Sequence, residues 1–413
     1  MRILSGRAAV AMVQRLACRG AQWTDLEPLV RRMVEDVRRR GDMALRSYAT
    51  QWDGLAKNQA VQVSGAELRE AWRTIKPELR QALRQAAENI RCFCDLQKPA
   101  SWMRTRAGIS LGQMIRPLES VACYVPGGRH PLLSTVLMTV IPAQGAGVKR
   151  IVVVSPNPSR EVLAAASMLK VGEVYRIGGA QAIAALAYGT KSISRVDKIV
   201  GPGNAYVTIA KKLVSFDCAI DFLAGPTEAV VVSHAGRADF IAADLVCQAE
   251  HDADALAVFI TTSRRLAQAV AQNVTQLALT NPTAHASLGR SGSILLAESR
   301  TQAREWANRI ASEHITVSAE DLPFIHNAGS VFVGEYSPQA AGDYASGPNH
   351  VLPTSGQARF RGGLSVFDFV KVMTVQNLSA SGLRRIAKTV ECLAETEGLP
   401  AHAHSVRVRA NRA

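Results

Sequence analysis

The segment CQAEHDAD, residues 247–254, brings a thiol, an amide, an imidazole and several carboxylates together at the end of a helical pattern. The apolar residues of ADFIAADLV just upstream recur at helical spacing, so Gln248 and His251, three residues apart, share one face of that helix. An amide oxygen and an imidazole on one face suit a metal ion. A charged helix end that is simply solvated has the same spacing, so local geometry leaves both interpretations open.

Three further histidines lie near carboxylates or polar loops, and they belong to the segments SEHIT, AGDYASGPNHVLP and EGLPAHAH. The residues concerned are Glu313, His314, Asp343, His350, Glu397 and His402. A histidine beside a carboxylate can act as a general base, and Gln, His, Asp and His side chains together can hold a zinc ion with a position left for substrate. The familiar zinc motif H-E-x-x-H is absent. Residues His234, His285 and His326 have ordinary structural interpretations.

Three glycine-rich turns, in YVPGGRHPLLSTV, IGGAQAIAAL and VGPGNAYV, each follow an apolar run and precede a helical one. Such turns expose backbone N–H groups at a helix start, where an anionic cofactor binds favourably. Tyr124, Gln181 and Asn204 follow these runs and are candidate cofactor contacts. Each turn alone is equally explained as a tight connection, and Asn204 also suits an N-cap. Three turns at one sheet edge favour a binding crevice.

The order of apolar runs predicts the elements that position these residues. Residues from about 24 to 95 have helical periodicity throughout, and short strand-like runs then alternate with helices in two successive series. The alternation predicts an α/β fold with two tandem doubly wound, incomplete Rossmann-like units, an N-terminal helical layer and a C-terminal helical tail that ends in a short β-prone segment. A tail this small should pack on another domain or subunit.

Composition restricts the class of protein. The chain has 413 residues, of which 47% are hydrophobic and 20% charged, as expected for a soluble globular protein. It contains no apolar run long enough for a membrane span, and its seven scattered cysteines contain no C-x-x-C pair, so we expect a cytoplasmic protein without a membrane partner. The net charge of +14 lacks an accompanying aromatic platform or basic block, which favours a solvated basic surface over a nucleic-acid partner.

Several blocks together resemble the histidinol dehydrogenase family, in register from about residue 25 to about residue 408. They are YVPGG, GGAQAIAALA, VDKIVGPGNAYV, AIDFLAGPTE, QAEHD, SEH, NAGSVFVGEYSPQAAGDYASGPNHVLPT and EGLPAHAHSV. The resemblance implies a four-electron oxidation of L-histidinol to L-histidine through L-histidinaldehyde, with two NAD+ as hydride acceptors, in histidine biosynthesis. It also implies one Zn2+ per subunit and a homodimer with shared active sites.

The resemblance assigns roles to matching positions. It implies Glu313 and His314 as catalytic residues, and Tyr124, Gln181 and Asn204 as NAD contacts. The implied zinc ligands are Gln248, His251, Asp343 and His402. The implied substrate contacts are Thr227, Gln248, His251, His314, Asp343, Glu397 and His402. In this scheme Glu397 and His402 come from the partner subunit, and the aldehyde stays within a closed site.

The implied domain organisation has four parts. Residues 1–23 form an N-terminal helical arm, and residues 24–122 with 228–365 form the main α/β domain. Residues 123–227 form an inserted NAD-binding domain, and residues 366–413 form a tail that packs on the partner subunit.

Two positions depart from the family pattern. Thr227 stands where the family usually has serine, and Ser312 stands where proline commonly precedes Glu-His. The loop between His314 and Asp343 is also somewhat short. Neither substitution removes a reactive group, but relatives on the same scaffold oxidise other polar alcohols, so that substrate class stays an alternative. A zinc hydrolase using Glu313 is a further one. Cys247 points about 100° from Gln248 on the helix, which favours packing over covalent catalysis.

Overall fold

The computed structural model describes residues 1–20, 25–127 and 132–411. The predicted turn at residues 128–131 and the predicted boundary between arm and main domain at residues 21–24 therefore lie outside the described residues. The described strands are, in chain order, β1 (Arg2–Ser5), β2 (Trp102–Arg106), β3 (Ile109–Pro117), β4 (Ser120–Tyr124), β5 (Arg150–Val154), β6 (Glu173–Tyr175), β7 (Lys198–Val200), β8 (Ala219–Ile220), β9 (Glu228–Val232), β10 (Leu256–Thr261), β11 (Ser293–Leu296), β12 (His314–Val317), β13 (Ser330–Val333) and β14 (Val370–Leu378).

The described α-helices account for most of the remaining chain. They are α1 (Gly6–Ala17), α2 (Glu27–Arg40), α3 (Asp42–Trp52), α4 (Gly65–Thr74), α5 (Pro77–Gln97), α6 (Leu133–Ala146), α7 (Arg160–Met168), α8 (Gly179–Tyr188), α9 (Ala205–Val214), α10 (Ala238–Ala249), α11 (Arg264–Ala278), α12 (Pro282–Arg290), α13 (Arg300–Ile310), α14 (Gln339–Tyr344), α15 (Ala380–Thr396) and α16 (Pro400–Ala410). None of the helices in the described ranges is long and apolar enough to cross a membrane.

The first parallel sheet has five strands in the order β6-β5-β4-β7-β8. Its central strands alternate between two apolar cores. Val121 and Cys123 face one core, whereas Ala122 and Tyr124 face the other, because successive side chains of a strand point to opposite faces. Both faces are therefore covered by helices, which agrees with the predicted mixed α/β fold.

The second parallel sheet has six strands in the order β1-β11-β10-β9-β12-β13. Every residue of β9 and β10 is buried, as expected for strands covered on both faces. The register places His314 opposite Ala229 on one side and Ser330 on the other. The starts of β9, β12 and β13 therefore lie side by side at the amino edge of this sheet.

The N-terminal helical layer packs on the five-stranded sheet. Apolar residues of α2 and α3, such as Val30 and Leu45, share a core with Ala122 and Ile183, and residues of α4 and α5, such as Leu68 and Ile90, share a core with Val121. Helices α2 to α5 thus cover the five-stranded sheet, and the grouping of residues 24–122 with residues 228–365 stays a prediction. Helical periodicity shows which face of a helix is buried but not which sheet covers it.

The two chain ends differ from the secondary structure predicted for them. The predicted helical arm begins with β1, which pairs in parallel with β11 at the edge of the six-stranded sheet, and only then becomes helical in α1. The segment SVRVRA, residues 405–410, is predicted to be β-prone but lies in helix α16. Its Arg407 forms ion pairs with Glu391 and Glu395 of α15, so packing against α15 overrides the alternating pattern.

A third, antiparallel sheet has the order β14-β3-β2, and sequence periodicity did not predict it. Strand β14 lies within the predicted tail and pairs with β3 along its whole length, from Val370 opposite Pro117 to Leu378 opposite Ile109. The sheet leads from the body of the protein to the helical hairpin of α15 and α16.

Candidate functional site

A cavity of about 170 Å3 lies between the two parallel sheets and collects most of the predicted chemistry. Its walls from the five-stranded unit follow the carboxyl ends of strands and include Thr135, Pro202 and Gly225. Its walls from the six-stranded unit come from the amino edge of that sheet and from neighbouring segments, and they are Thr227, Gln248, His251, Glu313, His314 and Asp343. The structure therefore brings together six of the predicted site residues.

Strand starts position the central groups. Thr227 directly precedes β9, and Glu313 and His314 stand at the beginning of β12, next to β9 in the sheet. Ser312, the departure from the family pattern, is fully buried and its hydroxyl donates to the His314 carbonyl oxygen at 2.8 Å. The serine hydroxyl thus holds the turn into the Glu-His pair without displacing either side chain.

The Glu313 carboxylate is fixed by two donors from the neighbouring strand. Its Oε2 accepts from the Thr227 hydroxyl at 2.6 Å and from the Glu228 backbone N–H at 2.9 Å. The Thr227 oxygen also lies 3.1 Å from Gln248 Oε1, but it has a single proton, and the shorter contact to a charged acceptor is favoured. The Gln248 carbonyl oxygen is therefore left available to a ligand.

His314 is almost fully buried between two carboxylates. Its Nε2 lies 3.3 Å from Asp343 Oδ1, and its Nδ1 lies 3.5 Å from Glu313 Oε2 without a hydrogen bond of good geometry. Burial lowers the pKa of the imidazole, but the charge of Glu313 and the contacts with Asp343 outweigh it and raise the pKa to about 10. Burial likewise opposes ionisation of Asp343, yet His314 holds the pKa of that carboxyl below its usual value.

The environment of Asp343 fixes its backbone as well as its side chain. Gln248 Nε2 donates to Asp343 Oδ2 at 3.2 Å. His350 Nδ1 lies 2.7 Å from the Asp343 carbonyl oxygen, and burial lowers the pKa of this histidine. A neutral His350 ring that donates from Nδ1 holds the Asp343 backbone in place. The proximity of His350 and Asp343 in a glycine-rich loop was the only sequence signal for this contact.

An arginine distant in sequence supports the Glu313 segment, and sequence reasoning missed it. Arg19 Nε lies 2.6 Å from Glu228 Oε1, and its Nη1 donates to the Ile310 carbonyl oxygen at 2.6 Å. Ile310 ends α13, and Ala311 then adopts a left-handed conformation with φ of 51° before the chain reaches Glu313. Arg19 thus holds both Glu228, whose N–H binds Glu313, and the turn that leads to Glu313.

A second cavity, of about 780 Å3, contains the three predicted cofactor contacts Tyr124, Gln181 and Asn204. Tyr124 is the last residue of β4, and Gln181 and Asn204 follow the carboxyl ends of β6 and β7 in the five-stranded sheet. Asn204 Oδ1 accepts from Val207 N at 3.2 Å, so this residue caps α9 and also lines the cavity. The turn at residues 201–204 separates the two cavities, because Pro202 lines the smaller one and Asn204 the larger.

Two predicted residues are not brought into the site of the same chain. Glu397 at the end of α15 and His402 in α16 are exposed on the helical hairpin and do not line either cavity. Within the described residues, no cluster of three or more His, Cys, Asp or Glu side chains has the arrangement of a metal site.

The donors that do converge nevertheless suit a zinc ion. The free carbonyl oxygen of buried Gln248, the carboxylate of Asp343 and the ring of His251 line one cavity, and oxygen and imidazole nitrogen are both ligands that zinc accepts. Because zinc usually takes four ligands, these three donors need a fourth ligand from elsewhere. Burial raises the pKa of the neighbouring Cys247 to about 12, so its thiol stays protonated, in keeping with a packing role.

Comparison with known proteins identifies the family of the chain. The family model for histidinol dehydrogenase matches residues 18–410. The chain is 47% identical over 393 residues to a histidinol dehydrogenase from Methanothermobacter thermautotrophicus, covering 91% of this chain and 92% of the relative. It is 44% identical over 415 residues to one from Methanosarcina mazei, covering 97% and 95%.

A crystal structure of histidinol dehydrogenase from Elizabethkingia anophelis superposes with a TM-score of 0.95 at 36% identity, covering 100% of this chain and 98% of that one. An acetylating aldehyde dehydrogenase from Geobacillus thermoglucosidasius, at 12% identity and a TM-score of 0.51, shares the fold alone. The family model and these close relatives span nearly the whole chain, which therefore belongs to the histidinol dehydrogenase family.

Proposed function

We propose that this chain oxidises L-histidinol to L-histidine through L-histidinaldehyde and passes two hydrides in succession to NAD+. Family membership makes the chain an NAD-dependent oxidoreductase whose family acts on histidinol in histidine biosynthesis. The observation that carries the finer proposal is the convergence of Glu313, His314 and Asp343 with Gln248 and Thr227 in one small cavity next to a larger one. The smaller volume suits a compact amino alcohol and the larger a dinucleotide.

His314 is the proposed base. In the first half-reaction it accepts the proton of the alcohol hydroxyl, while the hydrogen on the same carbon leaves as hydride with both electrons of its bond. In the second, Glu313 accepts a proton from the water that adds to the aldehyde carbon. His314 then accepts a hydroxyl proton of the hydrate as the second hydride leaves, which yields the carboxylic acid. When bound, NAD+ supplies the acceptor for each hydride.

The protonation of His314 depends on its two neighbours. A base must be neutral, whereas Glu313 and Asp343 together raise the pKa of the ring to about 10. Asp343 is also a proposed metal ligand, and a carboxylate engaged in that way no longer favours the charged ring. Glu313 keeps its two donors from Thr227 and Glu228 throughout, so its position does not depend on the metal.

Gln248, His251 and Asp343, with His402 of the other subunit, would hold one zinc ion per active site. When bound, zinc supplies a Lewis acid that orients and polarises the substrate. The free carbonyl oxygen of Gln248 supports this assignment, since the Thr227 hydroxyl has a better acceptor in Glu313. Zinc is not the redox centre in this scheme.

We propose a homodimer in which each site takes Glu397 and His402 from the partner. The exposure of both residues, and the projection of α15 and α16 on β14, support this arrangement. A mixture of His314→Ala and His402→Ala chains tests it. A heterodimer of these inactive variants contains one intact site, so random mixing should restore about a quarter of wild-type activity, because half of the dimers are then heterodimers. Verified heterodimers without activity would contradict a shared site.

The strand orders support the finer description of the fold. Numbered within each unit, both parallel sheets follow the order 3-2-1-4-5, with β1 added at one edge of the second. This is the dinucleotide-binding order without its sixth strand, in keeping with two incomplete Rossmann-like units. The domain boundaries, a cytoplasmic location, and the lack of nucleic-acid and membrane partners stay predictions. The seven cysteines are unpaired in the structure, as expected in a reducing compartment.

Product analysis tests the substrate. Purified enzyme incubated with L-histidinol, NAD+ and zinc should form two NADH for each histidine. Thr227 keeps the hydroxyl contact with Glu313 but adds a methyl group to the cavity wall. Turnover of another polar alcohol but not of histidinol would favour the alternative substrate class. Hydrolysis without any nicotinamide cofactor would favour a zinc hydrolase.

A further inference from the structure

Asp53 is a buried carboxylate without an assigned role. It follows the last residue of α3 and lines the larger cavity, although only 9% of the residue is exposed. Its Oδ2 accepts from the Gly178 backbone N–H at 2.9 Å and from Gln181 Nε2 at 3.1 Å. No ion pair compensates this carboxylate among the residues described, so its charge is held by hydrogen bonds and by the start of α8.

The contact with Asp53 orients the amide of Gln181. Because a carboxylate only accepts hydrogen bonds, the Gln181 NH2 group must face Asp53, and the carbonyl oxygen Oε1 must point elsewhere. That oxygen is buried and has no hydrogen-bond partner, while the residue as a whole is 1% exposed. A buried acceptor without a donor is unfavourable, so a ligand that donates to it is bound more tightly.

The charge of Asp53 restricts what can approach Gln181. A phosphate often binds at a helix N-terminus, but here the Asp53 carboxylate accepts the Gly178 N–H at the start of α8. The nearby Tyr124 oxygen accepts from Gly179 N at 3.1 Å, which leaves the hydroxyl proton free to donate. This part of the cavity therefore offers one acceptor and one donor to a neutral group, such as a carboxamide, a ribose hydroxyl or an amine.

We propose that Asp53 is a positioning residue for the dinucleotide, which fixes the Gln181 amide so that its carbonyl oxygen accepts a hydrogen bond from a neutral part of NAD+. This inference rests on the proposed function, because it requires that NAD+ occupies the larger cavity. Asp53 acts through Gln181 and does not take part in proton or hydride transfer.

Asp53→Ala tests the proposal in the full-length enzyme. The dissociation constant of NAD+, measured by calorimetric titration, should rise about 10-fold, because one oriented hydrogen bond is lost. The KM for histidinol and kcat at saturating NAD+ should stay within about twofold, since the smaller cavity does not contact Asp53. Asp53→Asn keeps an acceptor oxygen and should retain most of the affinity. Asp95→Ala, which removes an exposed carboxylate of α5, is the matched control.

If Asp53→Ala fails to fold, Gln181→Glu and the double variant of Gln181→Glu with Asp53→Asn test the proposal instead. Gln181→Glu places two carboxylates against each other and should weaken NAD+ binding. Adding Asp53→Asn restores a donor that faces an acceptor, so the double variant should bind NAD+ more tightly than Gln181→Glu alone. The absence of this rescue would overturn the proposal.

The outcomes separate the two levels of inference. Wild-type enzyme that binds no NAD+ contradicts the proposed cofactor and this inference together. Wild-type enzyme that binds NAD+, with an affinity that Asp53→Ala leaves unchanged, overturns the role of Asp53 alone. The role of Asp53 is also overturned if the effects of Asp53→Ala and Gln181→Ala on NAD+ affinity simply add in the double variant. Residues that act through one contact are not independent, so their effects should not be additive.

Discussion

The two parallel sheets have the same strand order but use opposite edges. The five-stranded sheet presents Tyr124, Gln181 and Asn204 at the carboxyl ends of its strands, where ligands of open α/β sheets usually bind. The six-stranded sheet presents Thr227, Glu313 and His314 at the amino ends of β9 and β12. In the proposed function, one unit binds the cofactor and the other supplies the catalytic side chains, and the smaller cavity lies where these two edges face each other.

The carboxyl edge of the six-stranded sheet shows why the units are not interchangeable. A cavity of about 360 Å3 lies there, at the start of α10, and is lined by Gly236, Arg237 and Glu335. Glu335 Oε1 accepts from Arg237 N at 3.2 Å, so the protein's own carboxylate occupies the position that an anion would take. A shared topology therefore does not imply a shared ligand, because a single side chain can fill the anion position.

Of the proposed variants, His314→Asn should have the largest effect on the site at the amino edge of the six-stranded sheet. Loss of the proposed base should lower kcat by about 10²- to 10⁴-fold, while NAD+ affinity stays near that of the wild type, because the proposed NAD+ contacts lie on the other sheet. Steady-state kinetics and NAD+ titration measure the two effects. Turnover within tenfold of the wild type would show that His314 is not the base.

His251→Ala should separate metal binding from cofactor binding. The variant should lose zinc, measured as metal content, and turnover should fall by about 100-fold, again with NAD+ affinity retained. His314→Asn is the matched control, because it should keep zinc while losing turnover. Full zinc content in His251→Ala would contradict the ligand assignment.

Arg19→Ala should reveal how strongly the amino edge depends on its support. The change leaves Glu228 buried without its cation, and loss of one partner of a buried pair costs about 3–5 kcal/mol in the free energy of unfolding. Denaturant unfolding measures this loss. Glu228→Gln should recover part of it in the Arg19→Ala background. Arg15→Ala, an exposed change on the preceding helix α1, should have almost no effect.

Asp244→Asn should have the smallest effect, at the carboxyl edge of the six-stranded sheet. Burial raises the pKa of Asp244 to about 6, so the protein loses stability as pH rises from about 4 through 6 and this carboxyl ionises. The group is partly exposed, so the neutral variant should gain only about 1 kcal/mol at pH 7.5, or about 2 °C in Tm. Thermal unfolding at pH 7.5 and pH 4 distinguishes this from a general effect, since the wild type and Asp244→Asn should have nearly the same Tm at pH 4.

Local patterns predicted the elements better than their partners. The alternation of strands and helices predicted the mixed α/β fold, and helical spacing placed Gln248 near the end of a helix, as α10 does. The same spacing wrongly placed His251 on that helix, because α10 ends at Ala249. Pairing between distant segments left no such signal. The sheet of β2, β3 and β14 joins strands far apart in sequence, and its exposed β2 lacks an apolar face that would predict it.

Sequence patterns did not predict the supporting roles of Arg19 and Asp53 for the same reason. Arg19 and Asp53 are single charged residues just beyond helix ends, where such residues are usually solvated. Only the fold shows that Arg19 meets Glu228, 209 positions away, and that Asp53 meets Gln181, 128 positions away. The opposite holds for Glu397 and His402. Both match the family pattern in sequence, but neither lines a cavity of its own chain.

The placement of β1 has a consequence for folding on the ribosome. Among the strands that the structure describes, β1 pairs with β11 alone, so it must wait for most of the chain to emerge before its partner exists. The five-stranded sheet, whose strands lie between them, can form meanwhile from more local contacts. Arg19, which follows α1, reaches Glu228 through the same late closure. Cofactor-binding capacity should therefore appear earlier in synthesis than catalytic competence.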